Sequence, residues 1–243
     1  MLTPIEPKVR LLELAKLPAS NFIFPEMGAV SLRDKVVACI KEAIFSGQLK
    51  PGDPVVERHL AQQMKIGTPA VREALVTLHE QGFLRRVANT ATYVNSYTPD
   101  EVKDLYQLRV EFELLALQWA KARVTEADLK ALEAVIQEMA GAAAEKNLRR
   151  FYELDLQFHR DCWRLSGNRF LARSLELLVP PLFAFVLMAS DVTVSEPIAN
   201  EHRAIINALR RLDEPEFSAT IRRVLSGFAM TGIASMASGK KAR

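Results

Sequence analysis

One aspartate and two histidines are the residues of this 243-residue chain best suited to bind a metal ion. Asp155 and His159 are four residues apart in a segment with helical periodicity, so their side chains would project from one face of a helix. His202 lies on a later predicted helix. Imidazole and carboxylate groups together suit one divalent cation such as Zn, Ni, Mn or Fe. The same residues also suit a buried, hydrogen-bonded Asp–His pair that holds no ion.

A second polar set surrounds a short predicted helix nearer the N-terminus. Thr68 and Arg72 are four residues apart at its start, with Pro69 between them. The guanidinium group of Arg72 could bind guanine O6 and N7 as a fork, or clamp a phosphate. If this helix enters a DNA groove, the other candidate contacts are Arg58 on the preceding helix, Arg85 and Arg86 on a first wing strand, and Asn89 and Thr90 at the wing tip.

The positive charge of the chain is concentrated around those candidates. Residues 31–96 contain nine basic and six acidic residues, residues 97–243 contain twenty of each, and the net charge is +3. A basic module joined to a neutral one is typical of a polyanion-binding head on an uncharged body, although so small an excess also arises by chance. We call residues 31–96 the head and residues 97–243 the body.

The head is predicted to be a winged helix-turn-helix of three helices and a β-hairpin. Apolar residues at helical spacing predict helices over 31–46 and 57–64, and a third helix with Thr68 as N-cap and Pro69 in its first position. Gly67 is expected to supply a left-handed residue in the turn before that helix. The β-prone runs 83–87 and 91–95 predict the hairpin. Residues 1–30, which have no clear period, form an N-terminal extension.

The body is predicted to be an all-helical bundle, which makes the fold class mainly α. Capping boxes at Thr98–Glu101 and Thr125–Asp128 open its first two helices, and we place the domain boundary between residues 96 and 97. Pro180-Pro181 is predicted to end a helix, because proline removes a backbone donor. The predicted helices cover residues 98–122, 125–143, 147–166, 168–179, 182–190, 197–212 and 214–237.

Several protein classes are excluded by what the sequence lacks. Cys39 and Cys162 form neither a disulfide framework nor a CxxC pair, which indicates reduced core residues of a cytoplasmic protein. The longest apolar run, 182–189, is too short to span a bilayer, and Glu6 and Lys8 interrupt any signal peptide. We expect no membrane partner. We also expect no enzyme, since neither a nucleophile–base set nor a phosphate-binding glycine loop is present.

The head resembles the GntR family of bacterial transcription regulators. The resemblance lies in residues 57–63, in Gly67-Thr68-Pro69-Ala70-Val71-Arg72-Glu73-Ala74-Leu75, and in Gln81-Gly82-Phe83-Leu84. It implies DNA contacts from Arg58, from the 67–69 helix start, from Arg72 and from the wing tip at Asn89 and Thr90. The family often has arginine where Thr68 stands and glycine where Ala91 stands. These departures imply a different operator sequence and a less tightly bent wing.

The body resembles the FCD effector domain of the FadR-type branch. The matching motifs are Tyr106-Gln107-Leu108-Arg109 with Glu113, residues 155–159 with 166–168, and residues 201–205 with Asp213. Metal sites of the family use the aspartate, the histidine four residues later and two more histidines. Val224 stands where the last ligand is expected. The resemblance therefore implies either a three-ligand site completed by water or by the effector, or a pocket without metal.

The resemblance also implies a homodimer that binds a pseudo-palindromic double-stranded operator and responds to a small molecule. Arg109 would pair either with an effector carboxylate or with Glu113, and Trp163 and Arg203 are further candidate effector contacts. The effector would be a small carboxylate such as a sugar acid or dicarboxylate, or a fatty or aromatic acid if the pocket is roomier. Two alternatives remain, a metal-dependent enzyme with the head as an accessory module, and a non-specific nucleic-acid binder.

Overall fold

The computed structural model describes residues 31–87, 91–189, 195–211 and 213–237. The predicted extension 1–30 and the predicted wing-tip contacts Asn89 and Thr90 lie outside the described residues. Within them, the head and the body have the predicted mainly α architecture. The head consists of α1 Leu32–Phe45, β1 Pro54–Val55, α2 Glu57–Met64, α3 Thr68–Glu80, β2 Leu84–Val87 and β3 Ala91–Val94.

The three short strands form an antiparallel sheet in the order β1-β3-β2. The predicted hairpin is present, with Leu84 opposite Val94 and Val87 opposite Ala91. The sequence did not predict β1, because two residues are too few to show an alternating pattern. Pro54 lies opposite Tyr93 and Val55 opposite Thr92, so the linker between α1 and α2 becomes the third strand.

The start of α3 differs in detail from the prediction. Gly67 is the N-cap at φ −70°, Thr68 is the first helical residue, and no side chain caps the helix. The left-handed residue of this turn is Lys65, at φ 53°. It is needed there because α2 ends at that point: the N–H of Lys65 bonds to Gln62 O and that of Ile66 to Ala61 O. The predicted N-cap role of Thr68 and the predicted positive φ of Gly67 are therefore wrong.

The body is helical, and both predicted capping boxes are present, at Thr98 with Glu101 and at Thr125 with Asp128. The N-cap of the helix after them is Asn147, whose side chain accepts a hydrogen bond from Arg150 N–H. The helices are α4 Pro99–Lys121, α5 Glu126–Ala144, α6 Leu148–Leu165, α7 Arg169–Ala189, α8 Glu196–Glu201, α9 Arg203–Arg211 and α10 Glu214–Ala237.

Two predicted helix boundaries in the body are wrong. Pro180 and Pro181 lie inside α7, which continues through them. Both prolines and the apolar residues from 182 to 187 are buried, and burial of this run outweighs the two missing backbone donors. Conversely, the segment predicted as one helix over 197–212 breaks at His202, whose N–H bonds to Ala199 O in a tight turn.

Helix α7 also joins the body to the head. Ala184 belongs to the apolar core of the head, and Gly82, at φ 76°, approaches Pro181 so closely that a Cβ there would lie 3.3 Å from its Cγ. Within the described residues, the segment Arg169–Met188 is long and apolar enough to cross a membrane, but half of it is buried inside the protein. Its apolar character is that of a core helix that packs against α1, α4 and α6.

Candidate DNA-binding surface and buried polar site

The start of α3 is accessible to solvent. Val71, Leu75 and Leu78 are buried and fix the helix to the core of the head. Pro69 and Arg72 lie on the opposite, exposed side, and Thr68 is half-buried. The helix can therefore present its first turn to a duplex without unfolding any core contact.

The position of Arg72 is set by Glu57, the first residue of α2. The guanidinium donates from Nε to Oε2 at 3.1 Å and from Nη2 to Oε1 at 2.9 Å. This pairing raises the pKa of Arg72, mainly through the side-chain hydrogen bonds. The side chain of Arg72 nevertheless remains 66% exposed, so it is held in a defined orientation while facing solvent. A carboxylate beside a residue that would meet phosphates also opposes DNA binding, because the like charges repel.

The other basic candidates lie on different faces of the head. Arg86 lines a shallow depression together with Arg72 and Glu57. Arg85 lies on the other face of the strand, with its guanidinium carbon 4.8 Å from the ring centroid of Tyr93. Arg58 is exposed on α2. The structure thus brings Arg72 and Arg86 together, whereas Arg85 lies on a separate face.

The candidate metal ligands converge in the interior of the body. Asp155 and His159 lie one turn apart on α6, and the break between α8 and α9 places His202 opposite them. His202 Nε2 is 2.9 Å and His159 Nε2 is 3.4 Å from Asp155 Oδ1. One ligand atom from each of the three residues lies within 4.8 Å of the others, and all three residues are buried. They border a cavity of about 20 Å³, the size of one ion or water molecule.

Both histidines have a second partner that fixes the orientation of the ring. His159 Nδ1 lies 2.6 Å from Glu113 Oε2, and its Nε2 lies 3.0 Å from Arg109 Nη2. His202 Nδ1 lies 3.2 Å from Ala199 O. A backbone carbonyl only accepts, so this Nδ1 carries the proton and Nε2 of neutral His202 offers a lone pair to Asp155. Two acceptors 2.9 Å apart require a proton or a metal cation between them, as in a metal site with an ordered outer shell.

Arg109 forms the ion pair with Glu113, one of the two roles that the sequence left open. Its Nε donates to Glu113 Oε1 at 2.6 Å, which is the i,i+4 ion pair, and the residue also lines the cavity. Nη1 of Arg109 has no hydrogen-bond partner among the described residues. A buried donor without a partner is costly, so this atom is available to an anionic ligand.

The charges around the cavity are strongly coupled. Burial by itself raises the pKa of the Glu113 carboxyl, but the charges of Arg109 and His159 outweigh it and lower the pKa to about 2. Burial opposes protonation of His159, yet the carboxylate of Glu113 raises the pKa of this histidine above its ordinary value. Burial by itself raises the pKa of the Asp155 carboxyl, but the two histidines beside it outweigh burial and hold that pKa below its usual range. The site is therefore a compact ionic network in an apolar interior.

Two predicted effector contacts lie away from this cavity. Trp163 is buried in the apolar core, and Arg203 donates from Nε to Glu133 Oε1 at 2.6 Å. Neither residue lines the cavity, whereas Val224 does and presents an apolar side chain there. Sequence reasoning missed Phe183 as a wall of the cavity, and it treated Glu113 only as a partner of Arg109. The second bond of Glu113, to His159 across 46 residues, left no local signal.

A winged helix whose third helix exposes Arg72 in its first turn, joined to a helical domain with a buried polar site, is typical of a DNA-binding transcriptional regulator. Residues 32–94 match the gntR family of bacterial regulatory proteins, and residues 104–227 match the FCD domain. The chain belongs to the GntR family and carries an FCD domain. It is a transcriptional regulator and not an enzyme, which rejects the metal-dependent enzyme considered as an alternative.

Similar proteins are regulators of the same kind. The chain is 27% identical over 191 residues to the HTH-type transcriptional regulator YdhC of Bacillus subtilis, covering 78% of this chain and 84% of that protein. It is 25% identical over 183 residues to the HTH-type transcriptional repressor RspR of Escherichia coli, covering 75% and 77%. The solved structure of McbR/YncC from E. coli has the same fold, with a TM-score of 0.68 and 20% identity over 88% of this chain and 100% of that one.

Proposed function

We propose that this regulator acts in the cytoplasm as a homodimer that binds a pseudo-palindromic operator, with one α3 in the major groove of each half-site. The observation that carries the proposal is the exposed first turn of α3, where Arg72 is oriented by Glu57 and lies beside Arg86. Groove-binding helices of this kind read bases with their N-terminal residues, while flanking cations bind phosphates. Such an arrangement supports sequence-specific binding over the binding of any nucleic acid.

Exposed apolar side chains on two adjacent helices support the dimer. Leu108 and Trp119 are eleven residues apart on α4, and Phe170 and Leu177 are seven apart on α7, so each pair lies on one side of its helix. All four are exposed, with Phe170 at 69%. Helices α4 and α7 pack against each other, and Trp119 and Phe170 line one open depression that a second copy can cover.

Selection of genomic fragments followed by footprinting tests the operator proposal. We expect a protected site with two inverted half-sites about one helical turn apart, and a specific complex that survives competition with random duplex by a factor of about a thousand or more. Light scattering should give the mass of two chains for the free protein. Equal competition by random duplex would reject operator recognition, and a single unrepeated half-site would reject the dimeric mode.

The buried polar site supports control by a small carboxylate. Arg109 lines the cavity, and its Nη1 donor has no hydrogen-bond partner among the described residues. Because the cavity holds only about 20 Å³, a sugar acid or dicarboxylate enters only when neighbouring side chains move. Such a ligand binds the form with the enlarged cavity better than the form with the small one. This difference in affinity is what allows a ligand to shift the equilibrium between the two forms.

The donor set also fits one divalent cation, held by Asp155, His159 and His202. The fit rests on the outer shell: Glu113 and Ala199 O hold Nδ1 of the two rings and leave Nε2 of each as the ligand atom. At His159 a cation would take the place of Arg109 Nη2, which lies 3.0 Å from Nε2. A bound cation would supply positive charge for an effector carboxylate, while Val224 leaves one coordination position to water or to that effector.

Protein purified without chelator should contain close to one divalent ion per chain, measured by inductively coupled plasma mass spectrometry. His202→Ala and Asp155→Ala should lose it, whereas His59→Ala, which removes an exposed histidine of the head, should keep it. At a metal concentration one hundred times its Kd, chelation should cost about 2.7 kcal/mol of unfolding free energy. Absence of Zn, Ni, Mn and Fe from the wild-type protein would leave a metal-free pocket.

A further inference from the structure

A second and larger cavity lies where the head meets the body, apart from the buried polar site. Its volume is about 310 Å³, at the lower end of the range of small-molecule sites. The head contributes Lys41 and Phe45 of α1 together with Phe83, and the body contributes Leu156 of α6 and Phe183 of α7, among others. Most of this wall is apolar, so the cavity suits a ligand with a hydrocarbon or aromatic part.

Two of the three cations on the cavity wall are already neutralised. Arg149 pairs with Glu42 and donates from Nε to Glu153 Oε1 at 3.0 Å. Arg160 is held by both carboxylate oxygens of Glu176. The carboxylates beside the cavity are thus engaged by arginines, and in the described part of the chain the third cation, Lys41, has no direct ion-pair partner.

Lys41 is half-buried and forms no salt bridge within the described residues. Its Nζ lies 4.5 Å from the ring centroid of Phe83, a cation–π contact. Burial and the charge of Arg160 lower the pKa of Lys41, and the charge of Glu176 offsets this only in part. The charge of this ammonium group is only partly balanced by nearby carboxylates, and the group lies beside an apolar cavity. An added anion therefore stabilises it more than it would stabilise a fully solvated lysine.

The cavity and the buried polar site share one wall residue. Phe183 forms part of both walls. Its ring centroid lies 5.9 Å from that of His159 and 4.5 Å from the guanidinium carbon of Arg109. A ligand in the larger cavity would therefore contact α1 of the head and, through one aromatic ring, the network of the body.

We propose that this cavity is a second ligand site, which takes an amphipathic monocarboxylate with its carboxylate on Lys41 and its apolar part against Phe45, Phe83 and Leu156. Occupancy fixes α1 against α6 and so limits the movement of the head relative to the body. The inference does not depend on operator recognition or on metal binding, because it is tested by direct titration of the free protein.

Calorimetric titration of the full chain with phenylbutyrate, and with phenylbutanol as its uncharged analogue, tests the site. Wild-type protein should bind the carboxylate saturably and more tightly than the alcohol. Lys41→Met should weaken phenylbutyrate binding by about tenfold or more and leave phenylbutanol within about twofold, because it removes the charge and keeps the aliphatic stem. Lys41→Arg should retain binding of the acid, and Lys35→Met, an exposed lysine on the same helix, should change neither.

The alcohol shows that the cavity of each variant is intact, so a folding defect cannot imitate the expected result. The proposal is overturned if no saturable binding of phenylbutyrate occurs, if Lys41→Met leaves its affinity unchanged, or if acid and alcohol lose affinity equally. Loss of operator binding by other variants, with these titrations intact, would instead count against the operator proposal alone.

Discussion

Glu113→Gln is expected to lower the free energy of unfolding by about 3–5 kcal/mol, although the change is isosteric. The carboxylate is buried and is the shared partner of two groups, Arg109 at 2.6 Å and His159 at 2.6 Å. Glutamine fills the same volume, so the substitution leaves no empty space that would lower stability further. The loss comes from leaving the guanidinium of Arg109 in an apolar interior without its main counter-ion.

Chemical denaturation of wild type and variant, with the unfolding free energy taken from the linear extrapolation, measures this loss. The matched control is Glu111→Gln, two residues away on α4. Glu111 pairs with Arg222, but both side chains are about half exposed, so the change should cost less than about 1 kcal/mol. If the two variants lose equal stability, Glu113 is not the ionised partner of Arg109 and His159 described above.

Most of the fold could be predicted from the sequence, because its signals are local. The capping boxes at Thr98 and Thr125 mark helix starts within four residues, and periodic apolar residues mark the faces between them. The errors arose where tertiary contacts override local preference. Pro180 breaks an isolated helix but not this one, in which residues 179–187 are buried, and β1 exists only because β3 pairs with it.

In the candidate site, too, the features with local signals could be predicted and those set by tertiary contacts could not. Asp155 and His159 are one helical turn apart, so their proximity could be predicted, whereas the approach of His202 depends on a turn that the periodicity of 197–212 conceals. The pairs of Arg72 with Glu57 and of Arg203 with Glu133 join residues 15 and 70 positions apart. Such pairings are decided by how the helices pack, and single-sequence patterns contain no information about them.

Arg72→Ala should weaken binding to the operator by about 5- to 150-fold if the guanidinium reads a base, with relaxed preference at the contacted base pair. The reason is geometric. Two hydrogen bonds to Glu57 hold the guanidinium at the exposed start of α3, so it reaches the groove with little loss of side-chain freedom. Fluorescence anisotropy at fixed salt, on the operator and on a scrambled duplex, measures the change. Equal weakening on both duplexes would mean that Arg72 contacts phosphate alone.

The control is Arg164→Ala, which removes an exposed arginine of the body that is also paired with a carboxylate, that of Asp161. Its operator affinity should equal that of the wild type, and any loss would indicate a non-specific charge effect.

Removing Arg72 also exposes the carboxylate of Glu57 at the surface that faces DNA, so part of the expected loss is repulsion and not a missing contact. The double variant Arg72→Ala with Glu57→Gln separates the repulsion by Glu57 from the loss of the Arg72 contact. Discrimination between operator and scrambled duplex should stay low in the double variant, because the reading group is absent, while affinity for both duplexes should recover in part. Full recovery of discrimination would show that Arg72 serves only to neutralise Glu57, and that another residue at the start of α3 reads the sequence.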